Sequence, residues 1–199
     1  MQWALMTEPH MGMSYATLSR LARWAEGAGL DAFSRSDHYF ADRVHHPNAT
    51  DAYATLAGLA RETERVELVV LVSPITFRHP AVLAKAAATI HEMSGGRFAL
   101  GVGTGWMDAE HEKFGIPFPP LGERFTRLEE ALGYLHHALG RAPGAFSGHH
   151  YSLAEGEILP TAPGVRLIVG GTGAQRTPRL AGTYADEYNM TLRPDPLNV

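Results

Sequence analysis

The chain of 199 residues is 45% hydrophobic and 19% charged, the balance of one soluble globular domain with apolar residues enough for a sizeable core, which excludes fibrous, low-complexity and disordered chains. With 17 Lys and Arg against 21 Asp and Glu the formal charge is −4, and the bases are scattered, which argues against a nucleic-acid partner. The chain has no cysteine, which removes disulfides, thiolate metal sites and cysteine nucleophiles together and suits a cytoplasmic protein.

Short apolar runs alternate with longer helical patterns, the signature of strand-helix units around a parallel sheet. Trp3 to Met6 reads as the first strand. Ser14 is placed to cap a helix that carries Leu18, Leu21, Ala22 and Ala25 at helical spacing, with Gly27 and Gly29 as its stop. Ala32 to Ser36 is a second strand, and Asp51 opens a helix through Tyr53, Leu56, Leu59 and Ala60. The continuous apolar run Val66 to Val72 predicts a strand buried on both faces. Its strongly apolar part, Leu68 to Val72, is the longest such run in the chain and far below the ~20 residues that span a bilayer, so no membrane partner is expected. Arg20 is the first basic residue and Glu8 interrupts the opening apolar stretch, so no secretory signal is expected either.

Pro80 suits a first helical turn, and Val82, Leu83, Ala86, Ala87, Ile90 and Met93 form the predicted buried stripe of its helix, which Gly95 and Gly96 end. Phe98 to Val102 is the fourth strand, followed by a short helix, Asp108 to Phe114, and a long one, Glu123 to Leu139. Seven glycines and prolines between Arg141 and Val165 predict an excursion of turns with a small hairpin. Arg166 to Val169, a helix from about Gln175 to Tyr184 and a last strand, Tyr188 to Leu192, complete six strands in a single domain over residues 1–199.

Three segments can carry chemistry. Gly170-Gly171-Thr172-Gly173 follows a strand and precedes a helix with Arg176 and Thr177 in its first turn. Glycines there let a backbone approach an anion, and the helix N-terminus supplies partial positive charge, so this is a phosphate site, against the plainer reading of a connecting turn. It is neither a Walker loop nor a dinucleotide fingerprint. The alternate glycines of Gly101-Val102-Gly103-Thr104-Gly105-Trp106 bare one face of a strand, for a flat ligand or equally for close packing. Ser36-Asp37-His38 ends the second strand at the edge where parallel α/β proteins place their chemistry, and a histidine there exchanges protons near neutral pH. The pairs His45-His46, His136-His137 and His149-His150 point apart as neighbours on a helix or strand and predict no metal site.

These segments, with Ser73 to Pro80, Ser94 to Arg97, Gly115 to Arg124 and Tyr184 to Glu187, resemble the bacterial luciferase-like flavin and deazaflavin oxidoreductases, particularly the branch that depends on coenzyme F420. The resemblance implies an α/β fold of the TIM (β/α)8 type with the cofactor across the C-terminal ends of the strands. It implies a catalytic role for His38 beside the cofactor ring, and a bulge with a non-prolyl cis peptide near Leu71, Val72 and Ser73 under one ring face. Asp37 is assigned to cofactor binding on the same ground, as are the backbone of Gly103, Thr104 and Gly105 for the ribityl-like chain and Gly170, Gly171, Thr172, Gly173, Arg176 and Thr177 for phosphate. Glu8 and Trp106 are assigned to the substrate pocket. Some deazaflavin dehydrogenases of this family carry a glutamate after the Gly-Thr-Gly, where this chain has Trp106, which favours a bulky or apolar substrate over a sugar phosphate.

A complete barrel takes ~250 residues, so six strands predict a barrel short of its last two strand-helix units. The leading expectation is an F420-dependent oxidoreductase acting on a small organic molecule, as a homodimer. The alternatives are a reduced-FMN monooxygenase, a truncated non-catalytic member with exposed sheet edges, and last a metal-dependent hydrolase.

Overall fold

The structure is a computed structural model that describes residues 1–41, 48–156 and 158–191. Its centre is a sheet of six strands: β1 (Ala4–Thr7), β2 (Ala32–Arg35), β3 (Glu67–Pro74), β4 (Phe98–Gly103), β7 (Arg166–Gly170) and β8 (Glu187–Asn189). Every neighbouring pair is parallel and the spatial order follows the chain, as the alternating pattern predicts. The first five strands move by at most two residues from the sequence reading, the last ends at Asn189, before the predicted Leu192, and Leu192 and the pair His45-His46 lie outside the described residues.

The helices are α1 (Tyr15–Gly27), α2 (Ala52–Glu62), α3 (Pro80–Met93), α4 (Asp108–Phe114), α5 (Leu121–Ala138) and α6 (Arg176–Tyr184). Ser14 accepts from the Thr17 amide at 3.2 Å and Asp51 from the Ala54 amide at 2.8 Å, so both predicted caps form. The excursion after α5 holds the expected hairpin, β5 (Phe146–Ser147) against β6 (Ser152–Leu153). One correction concerns α3, where Val82 is 54% exposed while Ala84 and Ala88 are buried. The buried stripe is rotated, and Val82 borders an apolar groove of about 470 Å³ between α2 and α3 that holds none of the predicted site residues.

Alternation along the strands sorts the core into two layers. Phe33, Leu68, Val70, Phe98, Leu100, Leu167 and Val169 belong to the large layer that packs with the helices. Ala32, Val69, Ala99 and Ile168, with half-buried Leu71, form a small inner layer. The register of β3 on β4 shifts between Val70 and Ser73, and the Leu71–Val72 peptide bond within that shift is cis. A bulge there breaks the alternation: Val70 faces the helices, Leu71 joins the inner layer, and the Val72 side chain lies against the inner face of β4 and β7.

Candidate active site

The C-terminal ends of the parallel strands gather the predicted residues along one edge, because each parallel strand is entered from the same side. His38 follows β2. Its Nδ1 lies 2.9 Å from Oε2 of Glu110, a residue of α4 with no solvent exposure. The other carboxylate oxygen, Oε1, accepts the amides of Tyr39 and Phe40, the latter at 3.3 Å. Two more rings flank His38: His10 at 4.7 Å between centroids and Trp106 edge-on at 5.6 Å. The His38 side chain keeps 13% exposure, and among the described residues its Nε2 has no hydrogen-bond partner.

His10 stands in a short turn after β1, with Nδ1 3.4 Å from both Glu8 and the Ser36 hydroxyl. Burial, and then the neighbouring His38, hold its pKa below the ordinary value, against the pull of Glu8 and Glu110. Glu8 itself is half exposed and Trp106 is 71% exposed, so both predicted pocket residues stand at a surface near His38.

Asp37 and Ser73, both assigned to the cofactor site, are also tied into a buried network. Asp37 is 1% exposed; it accepts from Ser73 Oγ at 2.6 Å and is paired through both oxygens with Arg78. Arg78 bridges on to Asp51 at 2.6 Å, and Tyr53 closes the set through a 2.6 Å bond to Ser73. Burial works against the Arg78 charge, yet Asp37 holds its pKa above the ordinary value. Burial likewise pushes Tyr53 up. These groups form a buried strut that fixes the ends of β2 and β3 beneath His38. Fully buried Arg35 adds to it by donating to Thr50 and Asp51 carbonyls and to Ser36, which ties the end of β2 to the start of α2. Burial draws Arg35 down to about 10.

The glycines of β4 are closely packed. A Cβ on Gly101 would stand 2.7 Å from Val72 Cγ1, and one on Gly103 would stand 3.0 Å from Val72 Cγ2. The Val72 side chain packs against the bared strand face, and the carbonyl oxygens of Val70 and Gly170 crowd the same glycines. Gly103 O accepts from Ile75, while the Thr104 and Gly105 carbonyls accept from Arg124, so the loop that ends β4 is held from two sides.

At the end of β7, Gly171 donates to Asn189 at 3.1 Å and takes the Tyr188 hydroxyl at 2.9 Å. Beyond it, none of the amides from Thr172 to Thr177 finds an acceptor among the described residues, and α6 starts without a side-chain cap. A Cβ on Gly173 would fall 2.7 Å from the Thr177 hydroxyl, so a glycine is required there for Thr177 to tuck under the loop. Arg176 lies over the Phe125 ring at 4.6 Å, beside that row of amides. Among the described residues no group of three or more His, Asp or Glu side chains could hold a metal ion. No described helix is long and apolar enough to cross a membrane.

Glu110, His10, Arg78 and Tyr53 were beyond the sequence reading. Glu110 is 72 residues from His38, and a buried acid on a seven-residue helix carries no periodic signal.

A sequential parallel sheet whose C-terminal edge carries a histidine hydrogen-bonded to a buried carboxylate and a glycine-rich loop before a helix defines a TIM-barrel-type α/β protein. The model of the luciferase-like monooxygenase family matches residues 1–198, and the chain belongs to that family. Among curated relatives it is 36% identical over 178 residues to an F420-dependent glucose-6-phosphate dehydrogenase of Microbacterium testaceum, covering 86% of this chain and 51% of the relative. A protein of the same name from Amycolatopsis mediterranei is 36% identical over 168 residues, covering 84% and 50%. The chain thus spans about half the length of the curated relatives it matches. Among solved structures, an F420-dependent secondary alcohol dehydrogenase in complex with an F420-acetone adduct superposes with a TM-score of 0.81 at 23% identity, covering 95% of this chain and 57% of that one. The F420-dependent tetrahydromethanopterin reductase of Methanopyrus kandleri gives 0.77 at 21% identity, covering 95% and 55%. At these identities the two structures establish the fold.

Proposed function

We propose that this chain binds the deazaflavin coenzyme F420 and serves hydride transfer between it and a small organic substrate of bulky or apolar character. The observation that carries the reading is that one sheet edge holds both an oriented histidine with an open Nε2 and a run of uncommitted amides at a helix start. The donor set fits the group: the amides from Thr172 to Thr177, with Arg176 beside them, suit its phosphate, and the His38 side suits its ring. When bound, F420 supplies the site that accepts or gives a hydride. A hydride that departs from an alcohol carbon leaves a proton on the oxygen, and His38 Nε2 takes it; in the reverse direction His38 returns it. The chain's other contribution is to hold that ring still and to wall the mouth with the apolar face of Trp106.

The relatives' named substrate is not carried over, because Trp106 offers no proton donor beside the Gly-Thr-Gly and no partner for a sugar phosphate. A cysteine-free chain suits the cytoplasm. A second copy of the chain is the proposed partner, since β1 and β8 are sheet edges among the described residues and present unpaired backbone groups.

Fluorescence titration of the purified chain with F420 and with FMN tests the reading. Saturable F420 binding is expected, with glucose 6-phosphate failing to reduce the bound coenzyme and secondary alcohols of increasing apolar size succeeding. Tight FMN binding without F420 binding would overturn it in favour of a flavin monooxygenase.

A further inference from the structure

We infer that Glu110 is a positioning residue that fixes the tautomer of His38, and so decides whether Nε2 meets the substrate as a proton acceptor. The inference deepens the functional reading above and rests on it only for the consequence in catalysis. The argument is an account of donors. Glu110 Oε1 is committed to two backbone amides, those of Tyr39 and Phe40, which only donate. Oε2 is left to His38 Nδ1 at 2.9 Å. Of a carboxylate and an imidazole the imidazole is ordinarily the stronger base, so the proton between them sits on Nδ1. In the neutral ring that leaves the lone pair on Nε2, the one ring nitrogen with no partner among the described residues. With no solvent exposure at Glu110, water does not compete for its oxygens. The same carboxylate therefore sets the backbone after β2 and the chemistry of the ring that the backbone carries.

Glu110→Gln makes the role visible because it preserves shape and reverses one donor. The two backbone amides demand the glutamine oxygen, which turns the glutamine amine toward Nδ1. Nδ1 must then accept, and the proton moves to Nε2. The imidazole is presented backwards while the fold is retained, an outcome that loss of a merely structural contact does not produce.

The test is nitrogen NMR of the full chain labelled in histidine, with His38 assigned by the loss of its signals in His38→Gln. In the wild-type chain the Nδ1–H form is expected, and in Glu110→Gln the two nitrogen signatures exchange. A wild-type Nε2–H form overturns the inference without any variant being needed, as does an unchanged tautomer in folded Glu110→Gln. Single-turnover hydride transfer supplies the second readout: Glu110→Gln is expected to slow it ~100-fold or more, and to slow it no further when His38 is already glutamine. Equal losses in both backgrounds would show that Glu110 acts independently of His38 and would overturn the inference. Because the tautomer is read without coenzyme, its failure is distinguishable from a failure to bind F420.

Discussion

Val72 Cγ1 occupies the space in which a side chain on Gly170 would begin, 2.7 Å from the position of a Cβ there. Gly170 is not among the glycines with positive φ, so room alone, and not backbone conformation, keeps a side chain out. The three atoms nearest that position all belong to Val72. Gly170→Ala is therefore expected to cost about 1–3 kcal/mol by overpacking, and Val72→Ala about 1–2 kcal/mol by lost burial. Together they should cost less than their sum by ~1–2 kcal/mol, because removing the methyls makes the room the new Cβ needs. Urea unfolding of the four chains measures this coupling, and strict additivity would show that the crowding comes from elsewhere.

Asp37 and Arg78 make a second pair whose loss is predictable. Asp37 has no side-chain exposure and Arg78 has 11%, so neither charge is solvated if the other is removed. Asp51, at 2.6 Å from Arg78, is 42% exposed and is a poor substitute. Asp37→Asn keeps the shape and the Ser73 contact but leaves a buried guanidinium half satisfied, at a cost of about 3 kcal/mol. For a chain of this size that corresponds to a fall of roughly 6–12 °C in Tm by calorimetry. An unchanged Tm would mean that Arg78 finds another acceptor in solution.

The contrast between these two pairs shows what the sequence discloses. Strand order, the caps of Ser14 and Asp51 and the excursion hairpin follow from local pattern: these two are read as caps because capping is a three-residue affair. The buried strut is invisible at that range. Arg78 meets Asp37 across 41 residues and Glu110 meets His38 across 72, and nothing in the spacing of charged residues announces which of them will be buried. Family resemblance points to Asp37 and Ser73, but not to the hydrogen bond by which they hold two strand ends together. The alternate glycines of β4 were ambiguous for a similar reason, since their partner Val72 owes its inward direction to a bulge in another strand.

His10 gives the chain a pH dependence of definite sign. Its pKa is lowered from the ordinary 6.5 by burial and then by His38, so the unfolded chain binds a proton over a pH window in which the folded chain does not. Stability must then rise with pH through that window and fall as the solution is acidified below about 6.5. In His10→Gln this contribution is absent. Urea midpoints taken at about pH 7.5 and 5.5 should therefore drop by less in the variant than in the parent chain. A steeper drop in the variant would reverse the assignment and require that His10 gains a proton on folding.

Trp106 separates stability from specificity. It is 71% exposed and among the described residues its ring meets only the edge-on approach of His38 at 5.6 Å, so little of the fold depends on it. Trp106→Ala is expected to leave the unfolding free energy within ~0.5 kcal/mol of the parent, the ordinary range for an exposed position. On the proposed function, removing the indole takes away the apolar surface beside His38, so KM for a bulky apolar alcohol should rise about 10-fold or more while F420 affinity is retained. Trp106→Glu places a carboxyl side chain after the Gly-Thr-Gly, and its activity should shift toward small polar alcohols. Steady-state kinetics against a size series of alcohols, with F420 affinity measured in parallel, decides the matter: equal KM changes across the whole series would place Trp106 outside the substrate's reach.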